Sequence, residues 1–112
     1  MRETYKASII AGIDKQGNGE ALSHDTVERA LEDIRLRMAI AFGGVTITRH
    51  AGDWINASGE RITENGVTLY TYSQVTRAET EQTLRMLGES LKTQLAQDCV
   101  IITIERADFA FV

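Results

Sequence analysis

The chain contains no proline and a single cysteine among its 112 residues. Ordinary proteins carry about 5% proline, so nothing here can serve as a rigid Pro-rich linker, and no low-complexity segment or internal repeat stands in its place. With Cys99 alone no intrachain disulfide can form, and a cytoplasmic location is the default expectation. Cys99 opens a strand-like run, where a buried, unreactive thiol is expected rather than a nucleophile. Long apolar runs are also missing. Val100-Ile101-Ile102 falls far short of the roughly 18 residues that cross a bilayer, and no basic start leads into an apolar stretch. Neither a membrane partner nor a signal peptide is therefore expected. Positive charge is scarce: the net charge is -4, and only Arg35 and Arg37 lie close together. Nucleic acid is not expected as a partner, because phosphate neutralisation needs a basic patch.

What remains is an ordinary globular composition, 43% hydrophobic and 25% charged, expected as one domain over residues 1–112. Residues 4–13 alternate, with Tyr5, Ala7, Ile9, Ala11 and Ile13 on one face of a strand. A helix follows, with Asp25 as the expected N-cap and Glu28 completing a capping box. Its buried stripe is Val27, Ala30, Leu31, Ile34, Met38, Ala41 and Phe42, and Asp33 and Arg37 can pair four residues apart. Gly43-Gly44 ends it. Residues 45–50 read as the second strand, 51–66 as turn chemistry, and 67–74 as the third strand, which ERIT upstream joins through a bulge or a small hairpin. Thr76 and Glu79 cap a second helix carrying Leu84, Leu87, Leu91 and Leu95, and residues 99–106 form the last strand. The order β-α-β-β-α-β predicts an α+β, ferredoxin-like sandwich: a four-stranded antiparallel sheet with two helices on one face, in the order 4-1-3-2.

Helices can cover only one face of such a sheet. Ile10 and Ile101 nevertheless sit on the opposite parity from Ile9, Val100, Ile102 and Ile104, so both faces hold apolar side chains. Leu36 and Ile40 lie off the first helix's main stripe. These positions predict a homo-oligomer, a dimer packing sheet to sheet.

Several motifs fail on inspection. DKQGNGEALSHD at 14–25 begins like a calcium loop, but Gln16, Leu22 and Asp25 miss its ligand chemistry, and a strand enters where a helix should. It lacks the Gly-Lys-Ser/Thr ending of a phosphate loop. His50 and Asp53, even with Glu60 and Glu64, make a weak metal set, and no metal or other cofactor is expected. No Ser-His-Asp or Cys-His arrangement is legible. Asn56-Ala57-Ser58 is a sequon without a use in the cytoplasm. Tyr70 and Tyr72 occupy a strand on which RNA-binding modules stack bases, but without their basic-glycine-aromatic signature, and are expected to pair across strands instead. Trp54 stands apart, a lone indole in a polar, turn-rich segment, either a lid over the core or a contact for a ligand or partner.

FGGVT at 42–46, Gly52-Asp53-Trp54, Ser58-Gly59-Glu60 and Glu64 together resemble a group of small bacterial and phage-encoded proteins. These share a glycine pair after the first helix and a tryptophan-bearing hairpin. The resemblance covers roughly residues 42–75 and implies that Gly43, Gly44, Thr46, Gly52, Trp54, Gly59 and Glu64 are the distinguishing positions, with no activity attached. The sequence favours a non-enzymatic accessory protein that binds a protein or sequesters a small molecule through Trp54, Arg49, His50 and Glu64. One alternative is a small enzyme of the dimeric α/β-barrel type, with a pocket between sheet and helices where His50 or a tyrosine moves a proton. The other is a purely structural homo-oligomer.

Overall fold

A computed structural model describes residues 3–112. Tyr5–Gly12 form β1, His24–Phe42 α1, Thr46–Ile55 β2, Arg61–Ser73 β3, Arg77–Gln94 α2 and Ile101–Arg106 β4. The strands make one antiparallel sheet in the order β2-β3-β1-β4. This is the expected ferredoxin-like α+β fold, with β1 and β3 central.

Alternation along β1 decides which face the helices cover. Tyr5, Ala7, Ile9 and Ala11 are buried, and the last three pack with Val67 and Leu69 of β3 in the core. Val27, Ala30, Leu31, Ile34 and Met38 of α1 complete that core together with Leu84, Leu87 and Leu91 of α2 and the following Leu95. Each such leucine or isoleucine contributes about 1.5–3 kcal/mol of burial. The stripe on α1 stops sooner than its spacing suggests: Ala41 is exposed and Phe42 only half-buried.

Both helices start on side-chain caps. Thr76 accepts a 3.1 Å hydrogen bond from the Glu79 amide, as expected. For α1 the cap is Ser23, not Asp25. The Ser23 backbone is extended and its hydroxyl accepts from the Thr26 amide at 3.1 Å, while Asp25 lies inside the first turn, where its charge favours the positive helix end. Gly43 closes α1 in the left-handed conformation, φ 89°, and donates to the Ala39 carbonyl.

The largest departure from expectation lies at 51–66. β2 and β3 pair without a bulge from Thr46–Tyr70 to Ile55–Arg61, and the turn is confined to 56–60. Asn56 organises it, its side-chain oxygen accepting from the Ser58 and Glu60 amides at 3.0 and 2.9 Å, with Gly59 at φ 80°. Gly52, Asn65 and Gly66 are turn-forming types carried in a ladder, because partner-strand hydrogen bonds outweigh weak β-propensity. The long hairpin projects as an arm. It stretches the molecule to 49 × 29 × 25 Å, with a radius of gyration of 15.0 Å against about 13 Å for a compact chain of this length.

β4 begins at Ile101, two residues later than expected, and Cys99 is exposed in the preceding loop rather than buried. No helix among the described residues is long and apolar enough to cross a membrane.

Candidate functional site

Strand register sorts the expected site residues onto two faces. His50, Gly52 and Trp54 lie opposite Gly66, Glu64 and Ile62, and Gly66 lies opposite Gly12. All belong to the face that the helices leave open, along with Ile10 and its neighbour Ile101. Arg49 has the other parity. Its guanidinium reaches α1 and donates to Glu28 at 2.7 Å, so it does not join Trp54, His50 and Glu64. The same alternation separates His50 from Asp53, which undoes the metal pairing suggested by their spacing.

Trp54 is neither in a loop nor a lid. It stands in β2, 50% exposed, over a groove of about 520 Å3 lined also by Ile10, Gly12, Ile62, Glu64, Val100 and Ile101. That volume is in the range of small-molecule sites. Lys15, Gly17 and Gly19 from the β1–α1 connection and Gln97, Asp98 and Cys99 from the α2–β4 connection form its other rim. A smaller hollow of about 200 Å3 adjoins it and adds His50, Gly52 and Gly66. The sheet–helix interface expected to hold an enzyme pocket is instead filled by the core, and the cavity faces away from the helices.

The two connections are tied together. Gly17 donates its amide to the Ala96 carbonyl at 2.7 Å, and the Gln97 side-chain amide donates to the Lys15 carbonyl at 2.6 Å. Asp14 anchors the other flank, accepting from the Asn65 amide at 2.7 Å. A side chain at Gly17 would collide with Asp98. The segment DKQGNGEALSHD is thus a structural rim of the groove, which explains its glycines without a calcium ion.

Within the groove, polar groups are few. The Glu64 carboxylate forms no hydrogen bond or ion pair with any described residue, and opposite it Gly52 leaves open space. His50 lies across Gly66, where a Cβ would meet its ring at 2.9 Å, and one ring nitrogen bonds the Thr68 hydroxyl at 2.9 Å. That bond orients the imidazole along the sheet. The formal charge lining the larger groove is one lysine, Lys15, against two carboxylates, Glu64 and Asp98.

At the other end of the open face, Tyr70 and Tyr72 meet edge-on along β3 with ring centroids 6.2 Å apart. Across the strands both meet Lys6 of β1, which lies opposite Tyr72 and holds its ammonium 4.7 Å from the Tyr70 ring centre, and Phe109 of the C-terminal segment packs on Tyr72 at 5.1 Å. Sequence reading missed Gln97 and the rim contributed by 15–19. Glycine density at 17 and 19, next to a strand end, is the signal for the rim; Gln97 carries none.

Fold and groove define an open-faced α+β domain with a cleft of about 520 Å3 on the uncovered face of its sheet. No protein-family model and no curated relative matches the chain. Among solved structures it is similar to a phage SAM lyase in complex with S-methyl-5'-thioadenosine. That match has 22% identity, covers 92% of this chain and 81% of the other, and has a TM-score of 0.67. It is also similar to the periplasmic divalent cation tolerance protein CutA from Archaeoglobus fulgidus, with 9% identity, 96% and 87% coverage and a TM-score of 0.58. A B. subtilis GlnK–ATP complex matches with 14% identity, 96% and 86% coverage and a TM-score of 0.53. At these identities the likeness is one of fold.

Proposed function

We propose that the open-face groove binds S-adenosylmethionine and that the chain cleaves it, releasing S-methyl-5'-thioadenosine. The observation that carries this reading is the groove's charge: a half-exposed indole and apolar walls surround two carboxylates and one lysine. Two of the similar structures hold an adenosine-containing ligand, one a thionucleoside and the other ATP. A triphosphate needs several cations or a phosphate loop, and this groove supplies a single lysine, outnumbered by two carboxylates, and no such loop. A cationic adenosyl sulfonium suits it, with Trp54 offering a π surface to the purine or the sulfonium.

The chemistry asks little of a general acid. When the bond between sulfur and the amino-acid chain breaks, the electron pair stays on sulfur and the leaving group is a neutral thioether. The four-carbon fragment balances either by losing a proton or by closing its own carboxylate onto the γ-carbon. Positive charge at sulfur disperses in the transition state, so the low-polarity wall of Ile10, Ile62 and Ile101 favours cleavage over the solvated ground state. This reading takes the enzymatic alternative for the same residues that a sequestering, phage-type accessory protein would use.

Calorimetry with S-adenosylmethionine, S-methyl-5'-thioadenosine and ATP, followed by chromatography of the incubated sulfonium, tests it. Binding with production of the thionucleoside is the expected result. Binding without turnover returns the chain to sequestration, and preference for ATP overturns the reading. The face itself is incompletely covered, with Ile101 56% exposed beside the groove, and a second copy of the chain packing there is the homodimer to look for by native mass spectrometry.

A further inference from the structure

The floor of the groove carries two hydrogen-bond acceptors aimed at one point. A Cβ built on Gly12 would lie 3.4 Å from Glu64 Oε2 and 3.9 Å from Gln97 Oε1. Neither oxygen accepts a hydrogen bond from a described side chain or amide. The orientation of Gln97 is set by its other end: Nε2 donates to the Lys15 carbonyl at 2.6 Å and to the Leu95 carbonyl at 3.3 Å. With both amide protons directed at backbone carbonyls, the carbonyl oxygen is the end left to face Gly12.

The backbone places Gln97 there deliberately. α2 ends in a Schellman arrangement, the Gln97 amide donating to the Lys92 carbonyl at 2.9 Å and the Ala96 amide to Thr93 at 3.1 Å. Ala96 takes the left-handed position at φ 48°, the one non-glycine residue among those described to do so. This turn, rather than the helix, carries Gln97 into the groove. Glycine at 12 keeps the space between the two acceptors clear.

Two half-exposed acceptors without a protein donor suit a ligand that brings two donors in place of water. We propose that Glu64 and Gln97 together accept the 2′- and 3′-hydroxyls of the ligand's ribose, making Gln97 a specificity-determining residue of the groove. This rests on the adenosyl reading above. A carboxylate paired with a neutral acceptor matches a vicinal diol and leaves the sulfonium to the apolar wall.

The test uses S-methyl-5'-thioadenosine, which has the diol but lacks the substrate's ammonium, and its 2′-deoxy and 3′-deoxy counterparts, titrated into the wild-type protein. Each deoxy compound is expected to bind at least about tenfold more weakly, because an acceptor is left unpaired. In Gln97→Leu, and independently in Gly12→Ala, whose methyl occupies the point between the oxygens, the ribo ligand weakens and the preference for it over the deoxy compounds falls below about threefold. Equal binding of all three compounds by the wild type overturns the diol assignment and leaves the adenosyl reading standing. Failure of the wild type to bind either S-methyl-5'-thioadenosine or S-adenosylmethionine overturns both, and binding of the sulfonium alone overturns the diol assignment. The wild-type comparison depends on no variant, so misfolding of Gln97→Leu cannot obscure it.

Discussion

The two ends of β2 and β3 obey different rules. Near Leu69 and Val67 β3 lies over helices and its inward side chains are buried; from Thr48 to Ile55 the outer strand β2 is exposed throughout. One half is held by packing and the other by the ladder and its tip. The groove sits where they meet, with Ile10 and Gly12 on the packed side and Trp54 and Glu64 on the arm. A binding site at such a junction can tolerate changes in the arm that a core could not. Stability and binding should therefore separate by region.

Leu84→Ala is the strongest test of the packed half. Its side chain is fully buried in the core, and truncation is expected to cost about 2–5 kcal/mol, read as a lower urea midpoint at unchanged slope. A loss under about 1 kcal/mol would mean that this core is loosely packed around Leu84.

Trp54→Ala tests the arm by the opposite pattern. The indole is half-exposed, so stability should change by about 1 kcal/mol or less, while affinity for S-adenosylmethionine falls at least about tenfold. Arg49→Ala is its internal control. Arg49 reaches Glu28 on the helix side, and removing an exposed pair of this kind costs about 0–1 kcal/mol and leaves binding as it was. Equal losses of binding in both variants would remove the division between faces.

Ala96→Gly addresses the junction itself. An L-residue in the left-handed region costs about 1–2 kcal/mol, offset in part by the extra freedom glycine has when unfolded. The variant is expected to gain about 0.5 kcal/mol in thermal or urea unfolding. Its effect on affinity reports whether the Schellman turn merely ends α2 or fixes Gln97.

What the sequence revealed divides along the same line. Element order, the leucine spacing of α2, the Thr76 cap and the opposite parity of Ile9 and Ile10 are local patterns, and each found its place in the structure. The arm was hidden because Gly52, Asn65 and Gly66 are turn residues by chemistry and strand residues only by partnership. Trp54, His50 and Glu64 could be nominated from type, but their common face depends on the register of β2 on β3. Arg49 is near them in sequence, but one step along a strand puts it on the other side. Gln97 had no signal of its own, since its role comes from a helix terminus and a loop from the far end of the chain.

The smallest effect concerns the arm's outer side. Asp53 accepts from the Thr63 hydroxyl at 2.6 Å and from the Arg61 guanidinium at 2.7 Å. These two bonds, Thr63 first, hold its carboxyl below the ordinary 3.8. A depressed folded pKa stabilises the fold above the ordinary value, and that contribution is lost as pH falls through the lower folded one. The group is exposed, so the consequence should be local: carboxyl titration by NMR gives a midpoint below 3.8, and Asp53→Asn loosens the rungs near the tip at neutral pH. As the wild type is acidified through its midpoint, its tip should come to resemble that of the variant. A midpoint at or above the ordinary value would show that neither bond persists in solution. The arm would then be held by its backbone ladder alone, and the position of Trp54 over the groove would owe nothing to the side chains beneath it.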